Sequence, residues 1–150
     1  MNETDIINSD LHEDTVNLIR EAIECGTNSL TFYNMLLNQV RDAEDTYIIT
    51  EIMDEETRHT QILKDIFFGI TNSHIEDVRS IYVENRSIID DYTENLKNAL
   101  FDEMNSIKKY RKILDNMQDS RSYNMMMEII TDKLCHANMY NYLINKNITY

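Results

Sequence analysis

The second half of this 150-residue chain repeats the first half when the sequence is shifted by 77 positions. No gap is needed, and identical residues recur along the overlap. Examples are Ala22 with Ala99, Tyr33 with Tyr110, Ile52 with Ile129, and His59 with His136. A repeat of this length indicates one structural unit that occurs twice, with each copy burying its apolar face against the other.

Apolar residues within each copy recur in steps of three and four, which is the pattern of a helix with one buried side. The chain has no Pro and only two Gly, so little interrupts long helices. We therefore predict four helices. Their predicted core-facing positions are Val16, Ile19, Ile23, Gly26, Leu30, Tyr33, Leu37 and Val40; Ile49, Ile52, Glu56, His59, Leu63, Ile66 and Ile70; Leu96, Leu100, Glu103, Ile107, Tyr110, Leu114 and Met117; and Met126, Ile129, Lys133, His136, Tyr140 and Leu143.

Polar stretches separate the predicted helices. Residues 41–45 and 116–122 are short enough for each to close an antiparallel helical hairpin. The longer segment 71–87 has to join the two hairpins, and its pattern predicts a short helix between residues 75 and 83.

The expected architecture is a single all-α domain over residues 1–150. It is an antiparallel four-helix bundle built from two repeat-related hairpins with a long crossover between them. Hairpin one is expected at about residues 12–70, the crossover at about 71–87, and hairpin two at about 88–147.

Charge narrows the classes of partner. With 27 acidic and 14 basic side chains, the net charge of -13 disfavours nucleic-acid binding. The N-terminus carries no leader-like apolar segment and no later run could span a bilayer, so no membrane association is expected. The two cysteines, Cys25 and Cys135, form no C-x-x-C pair. A cytoplasmic, bacterial protein is the simplest expectation.

Five ionisable residues fall on the core-facing stripes, where the pattern calls for apolar side chains. These residues are Glu56, His59, Glu103, Lys133 and His136. A buried charge has to be paired, hydrogen-bonded or bound to a metal ion, because burial alone costs several kcal/mol. Their common level in the two repeats predicts one shared polar site inside the bundle.

Glu56 and His59 form an E-x-x-H pair, whose spacing points a carboxylate and an imidazole toward the bundle axis. Within M-D-E-E-T-R-H-T-Q-I-L-K, and with the internal repeat, this pair resembles the rubrerythrin-type di-iron domain of the ferritin-like superfamily. The resemblance implies that each hairpin supplies a Glu seven residues before a Tyr, followed by E-x-x-H. It also implies two iron ions that react with oxygen or peroxide. A homodimer is a separate expectation, which belongs to the interpretation of the bundle as a scaffold.

Two of the six ligands implied by this resemblance are absent. Glu103 stands seven residues before Tyr110 and matches, whereas the corresponding position before Tyr33 is Gly26. In the second repeat Lys133 replaces the carboxylate of E-x-x-H, which becomes K-L-C-H. The predicted metal ligands that remain are Glu56, His59, Glu103 and His136.

The charges that remain in the predicted site are compatible with two interpretations of its function. Glu56 and Glu103 against Lys133 leave a net charge of about minus one, too little to compensate two divalent ions in a low-dielectric core. The first reading is a degraded centre that binds at most one iron or other divalent ion. Any oxidoreductase activity would need an external electron donor, because no rubredoxin-like cysteine module is present. The second is a metal-free structural or interaction bundle, in which the Lys133 ammonium replaces the metal charge and Gly26 leaves it room.

A shifted ligand set is a further alternative. Glu55 and Asp132 are repeat-related, and each lies four residues before a His. Either carboxylate could substitute for a missing ligand if the helix face turned slightly.

Overall fold

Four long helices make up the computed structural model, which describes residues 3–75 and 88–148, with side chains from residue 12 onward. They are α1 (Glu3–Gln39), α2 (Ala43–Thr71), α3 (Tyr92–Asp115) and α4 (Ser120–Asn147). The described residues contain no β-strand. The prediction of an all-α four-helix bundle is confirmed. The connection 116–119 falls within the predicted stretch 116–122, whereas the connection 40–42 begins one residue before the predicted stretch 41–45.

Helix α1 begins earlier than the sequence pattern placed hairpin one, at Glu3 rather than at about residue 12. Residues 3–11 contain no Pro or Gly, so the helix continues beyond the periodic apolar stripe. The short helix predicted between residues 75 and 83 lies, except for Ile75, outside the described residues. Among the described helices, no stretch combines the length and the apolar character that crossing a bilayer requires.

The helices form two antiparallel hairpins that pack side by side. α1 packs against α2 and α3 against α4, and the hairpins meet through α1 with α3 and α2 with α4. The hydroxyl of Tyr92, at the start of α3, donates to Oδ2 of Asp45, near the start of α2, at 3.1 Å. Helices α2 and α3 therefore point the same way, as a bundle with one long crossover requires.

Aspartate begins each of the last three helices. The carboxylates of Asp42, Asp91 and Asp119 accept from backbone N–H groups two or three residues later, at 2.7 to 3.0 Å. These contacts satisfy N–H groups that have no partner within the helix. Asp42 and Asp119 are repeat-related, so the cap is part of the repeated unit.

The apolar core consists of two clusters separated by a polar layer. One cluster includes Ile19, Leu63 and Ile129, and the other includes Leu36, Ile52 and Leu143. The layer between them contains the five ionisable residues that the sequence placed on the stripes, and all are buried.

The predicted stripes are more accurate for α2 and α4 than for α1. Every predicted position of α4 is buried, and in α2 only Ile70 is partly exposed. In α1, Leu30 and Leu37 are only partly buried, whereas Phe32 and Leu36 lie in the core. Apolar residues occur on two neighbouring stripes of α1, so the three-and-four spacing alone does not fix which of them faces inward.

A polar cluster joins three helix ends at the end of the bundle where α2 and α3 begin. The carboxylate of Asp45 is only 1% exposed. It accepts from Nζ of Lys146 at 2.6 Å and from Nδ2 of Asn147 at 2.7 Å, in addition to the hydroxyl of Tyr92. Asp45 thereby connects the start of α3 and the end of α4 to the start of α2.

We expect Asp45→Ala to lower the free energy of unfolding by about 2 kcal/mol, because the partly buried donors of Tyr92, Lys146 and Asn147 lose this acceptor. Urea denaturation followed by circular dichroism measures the loss. Glu44→Gln is the matched control: Glu44 also pairs with Lys146, at 2.8 Å, but is exposed. A loss in the control as large as in Asp45→Ala would assign the effect to net charge rather than to the buried contacts.

A candidate metal centre closed by a lysine

The ionisable residues of the core stripes meet in the polar layer between the two apolar clusters. α2 supplies Glu56 and His59, α3 supplies Glu103, and α4 supplies Lys133 and His136. Ligand atoms of Glu56, Glu103 and His136 lie within 4.8 Å of one another, a spacing that could hold a cation. The fourth predicted ligand, His59, contacts this group through Nδ1, which is 3.3 Å from Oε1 of Glu56.

Lys133 places its ammonium between the two buried carboxylates. Nζ donates to Oε1 and Oε2 of Glu56 at 2.8 and 3.0 Å, and to Oε2 of Glu103 at 3.2 Å. Nζ also lies 5.3 Å from the centroid of the Tyr110 ring, within the range of cation–π attraction. A buried ammonium of this kind is maintained only by close pairing, which these contacts provide.

Each imidazole is held by a carboxylate from the opposite repeat. Nε2 of His59 lies 2.8 Å from Oδ2 of Asp132, and Nε2 of His136 lies 2.6 Å from Oε2 of Glu55. Because Glu55 and Asp132 are repeat-related, the two contacts obey the same pseudo-two-fold symmetry. These carboxylates therefore orient the rings from outside, and the Nδ1 atoms face the centre. Imidazoles that bind metal ions are commonly oriented in this way.

Among the buried side-chain polar atoms of the described residues, Nδ1 of His136 is the one that lacks an aligned hydrogen bond. It lies 3.2 Å from Oε1 of Glu56 and 3.9 Å from Oε1 of Glu103. Burial acts to lower the pKa of His136, but the contacts with Glu56 and Glu55 outweigh it and raise the pKa above its ordinary value. In a protonated ring Nδ1 carries a hydrogen, which faces the carboxylate oxygens in place of a repulsive lone pair.

The two central carboxylates differ in their electrostatics. Burial acts to raise the pKa of Glu56, but the two imidazoles and the Lys133 ammonium hold it well below the usual range. Burial raises the pKa of Glu103, where the single contact with the ammonium only partly offsets it and the nearby Glu56 adds to it. Glu56 is therefore the carboxylate that the site holds ionised most firmly.

Gly26 on α1 occupies the position where the resemblance implies a fourth carboxylate. A Cβ atom at Gly26 would lie 2.2 Å from Oγ1 of Thr60, so any side chain there requires Thr60 to move. The space directly beside Gly26 is thus filled by Thr60, which donates to the backbone oxygen of Glu56 at 3.0 Å. A cavity of about 40 Å³ remains nearby, between α1 and α3, and Lys133 is among its lining residues.

Comparison with solved structures identifies the fold. A two-domain protein from Anabaena variabilis that contains DJ-1/ThiJ/PfpI-like and ferritin-like domains superimposes with a TM-score of 0.74 at 16% identity, over 93% of this chain. The fold is ferritin-like. A conserved hypothetical protein from Mycobacterium tuberculosis aligns over 95% of this chain and 99% of its own, with a TM-score of 0.64 at 8% identity.

These comparisons carry information about the fold alone. This chain spans 41% of the length of the Anabaena protein, and both identities are low. No protein-family model matches the sequence, and no curated protein matches it significantly. The comparisons therefore show the ferritin-like fold that the sequence predicted. They do not show a rubrerythrin-type di-iron centre, which depends on the side chains of the site.

Sequence reasoning did not anticipate two features of the site. Nη2 of Arg58 donates to Asp132 at 2.8 Å and its Nη1 pairs with Glu128, so a cation on the surface holds the carboxylate that orients His59. Thr60 was also missed. The repeat does distinguish this position, because the counterpart of Thr60 in the second repeat is the smaller residue Ala137. Glu55 was considered only as a substitute ligand.

Lys133→Met removes the ammonium and keeps an apolar side chain of comparable length. Two buried carboxylates then lack a compensating cation, and we expect the free energy of unfolding at pH 7 to fall by about 3–5 kcal/mol. The depressed pKa of Glu56 stabilises the wild-type protein above the ordinary carboxyl range and ceases to do so as the pH falls. In the variant, protonation relieves the repulsion, so the deficit should shrink between about pH 7 and pH 5.

Urea denaturation at several pH values measures this difference. The matched control is Arg121→Met, at an exposed position of α4, with an expected change below about 0.5 kcal/mol. If Lys133→Met were as stable as the wild-type protein at pH 7, the ammonium would not be needed to compensate the two carboxylates.

Proposed function

We propose that this protein is a ferritin-like bundle with a structural or protein-interaction role, in which the Lys133 ammonium supplies the positive charge that a metal ion would otherwise provide. The observation that carries the proposal is the contact of one ammonium with both buried carboxylates, at 2.8 to 3.2 Å. The polar layer is then compensated by a side chain of the same polypeptide. The bundle needs no metal ion for its stability.

A two-metal centre of the rubrerythrin type does not fit the residues present. Lys133 puts a cation where a carboxylate ligand would be needed, and Gly26 offers no ligand at all. Thr60 stands in the space that a side chain at position 26 would enter. With two carboxylates in place of four, the charge of two divalent ions would be left largely uncompensated in the core.

A site for a single divalent cation is the second candidate function. It is supported by the grouping of Glu56, Glu103 and His136 within 4.8 Å, and by the unaligned Nδ1 of His136. Two carboxylates and one imidazole form a donor set that suits iron or zinc. Such an ion would compete with the Lys133 ammonium for the same oxygens, and a redox role would still need an external electron donor.

Metal titration separates the two candidates. Wild-type protein stripped by a chelator and loaded anaerobically with Fe(II) is expected to retain no stoichiometric iron after desalting, because the ammonium holds both carboxylates. Lys133→Met frees the same oxygens and is expected to retain about one ion per chain. Elemental analysis gives the ratio. One tightly held ion in the wild type would favour the single-cation site, and two ions with peroxide turnover would refute both candidates.

Restoring a two-metal centre should require three substitutions. Lys133→Glu and Gly26→Glu supply the missing carboxylates, and Thr60→Ala removes the atom that a side chain at position 26 would strike. The repeat supports this choice, because Ala137 occupies the position equivalent to Thr60, in the repeat whose first helix already carries Glu103. We expect about two iron ions per chain in the triple variant.

The double variant that retains Thr60 is the matched control. It has the same carboxylates but a blocked site, so it should bind less iron and unfold at a lower urea concentration than the triple variant. Equal iron content in the two variants would mean that Thr60 moves aside readily and that packing does not keep the site from accepting a fourth carboxylate.

A further inference from the structure

The outward faces of the two hairpins differ in a way that the shared fold does not explain. Six large apolar side chains are exposed on α3 and α4, and the equivalent positions of hairpin one are all polar. The pairs are Phe101 with Glu24, Met104 with Thr27, Tyr123 with Thr46, Met127 with Thr50, Leu134 with Thr57, and Tyr142 with Asp65. Phe101 is 60% exposed and Leu134 is 51% exposed. Hairpin one exposes three large apolar side chains on its helices, Met35, Tyr47 and Phe68, so hairpin two presents twice as many. The fold itself does not require apolar residues at these six positions, because hairpin one has polar residues there.

The central members of this set lie at one height of the bundle. α3 and α4 are antiparallel, and the contact between Glu103 and Lys133 places these two residues level with each other. Phe101 and Met104 are within one turn of Glu103, and Leu134 directly follows Lys133. We call the six exposed apolar residues on the outer sides of α3 and α4 the hairpin-two face.

The outer side of hairpin two is large enough for a stable interface. α3 has 24 residues, which corresponds to a length of about 36 Å. The outer side of two adjacent helices of this length, each about 10 Å wide, has a projected area of about 700 Å², and the six apolar residues form part of it. A standard protein–protein interface buries about 800 Å² on each partner, so this outer side approaches that size.

Charge favours a second copy of this chain as the occupant. Residues 12–75, in hairpin one, contain 12 acidic and 4 basic side chains, a net charge of -8. Residues 88–147, in hairpin two, contain 9 acidic and 8 basic side chains, a net charge of -1. Two chains of net charge -13 repel each other least when they meet through hairpin two.

Charge along α3 is also self-complementary. Residues 90–97, at its start, carry three acidic side chains and one basic side chain, Lys97, which pairs with Glu94. Residues 108–115, at its end, carry four basic side chains and one acidic side chain. Between these ends lies Phe101. A two-fold axis near Phe101 would align the acidic start of α3 in one copy with the basic end of α3 in the other. Such a symmetric interface uses the same patch on both subunits.

We infer that the hairpin-two face binds a second copy of this chain, forming a two-fold symmetric dimer in which α3 packs antiparallel to α3 of the partner. The inference depends on the outer faces alone. It stands or falls independently of whether the polar layer holds an ammonium or a metal ion.

Sedimentation velocity between about 1 and 100 µM tests the inference. The wild-type chain is expected to sediment as a dimer of twice 17.8 kDa at the upper concentrations. The triple variant Phe101→Glu, Met104→Thr and Leu134→Thr gives the hairpin-two face the residues found in hairpin one. We expect its dimer dissociation constant to rise by about 100-fold or more, because a charge then replaces Phe101, the most exposed apolar side chain of the hairpin-two face.

The matched control exchanges residues in the opposite direction. Met35→Lys with Tyr47→Asn gives hairpin one the residues that hairpin two carries at the equivalent positions, and this variant should dimerise like the wild type. If circular dichroism shows that the triple variant is not folded, Phe101→Glu alone, at a highly exposed position, replaces it. A monomeric wild type at 100 µM would overturn the inference. So would a dimer that survives the hairpin-two substitutions, or one that the control variant weakens equally.

Discussion

The contact of the Lys133 ammonium with Glu56 and Glu103 is the interaction on which the polar layer depends. The layer separates two apolar clusters, and its central charges are buried, so they have to be compensated within the bundle. One side chain from α4 reaches a carboxylate on α2 and another on α3. Buried ion pairs of this kind contribute little net stability, but losing one partner is costly. The ammonium therefore fixes the relative positions of three helices.

The site keeps the symmetry of the repeat at its edge and breaks it at its centre. At the edge, the imidazoles of His59 and His136 contact carboxylates of the opposite repeat in equivalent ways. At the centre, a lysine stands opposite Glu56, its own repeat counterpart. Glu56 has three cationic or imidazole partners, whereas Glu103 relies mainly on Lys133. This difference in partners is why the pKa of one carboxylate is depressed and the pKa of the other is raised.

The sequence predicted the features that depend on spacing along one helix. On α2 and α4, ionisable and apolar residues share one stripe, and its orientation was predicted correctly. On α1 the apolar residues occupy two stripes, and only packing against α2 and α3 selects Phe32 and Leu36. Contacts between helices were harder to foresee, because they depend on distances between elements. The clash at Gly26 belongs to this second group, although the change from Ala137 to Thr60 across the repeat was visible in the sequence.

The close approach of Gly26 and Thr60 also constrains the order in which this sequence can change. A carboxylate side chain at position 26 is opposed while Oγ1 of Thr60 stands 2.2 Å from the first added carbon. Shortening Thr60 first leaves a void at a packed helix crossing, with no benefit until the second change arrives. We therefore expect the effect of a side chain at position 26 to depend on which residue occupies position 60. Packing at this one helix crossing thus couples the consequences of substitutions on two different helices, α1 and α2.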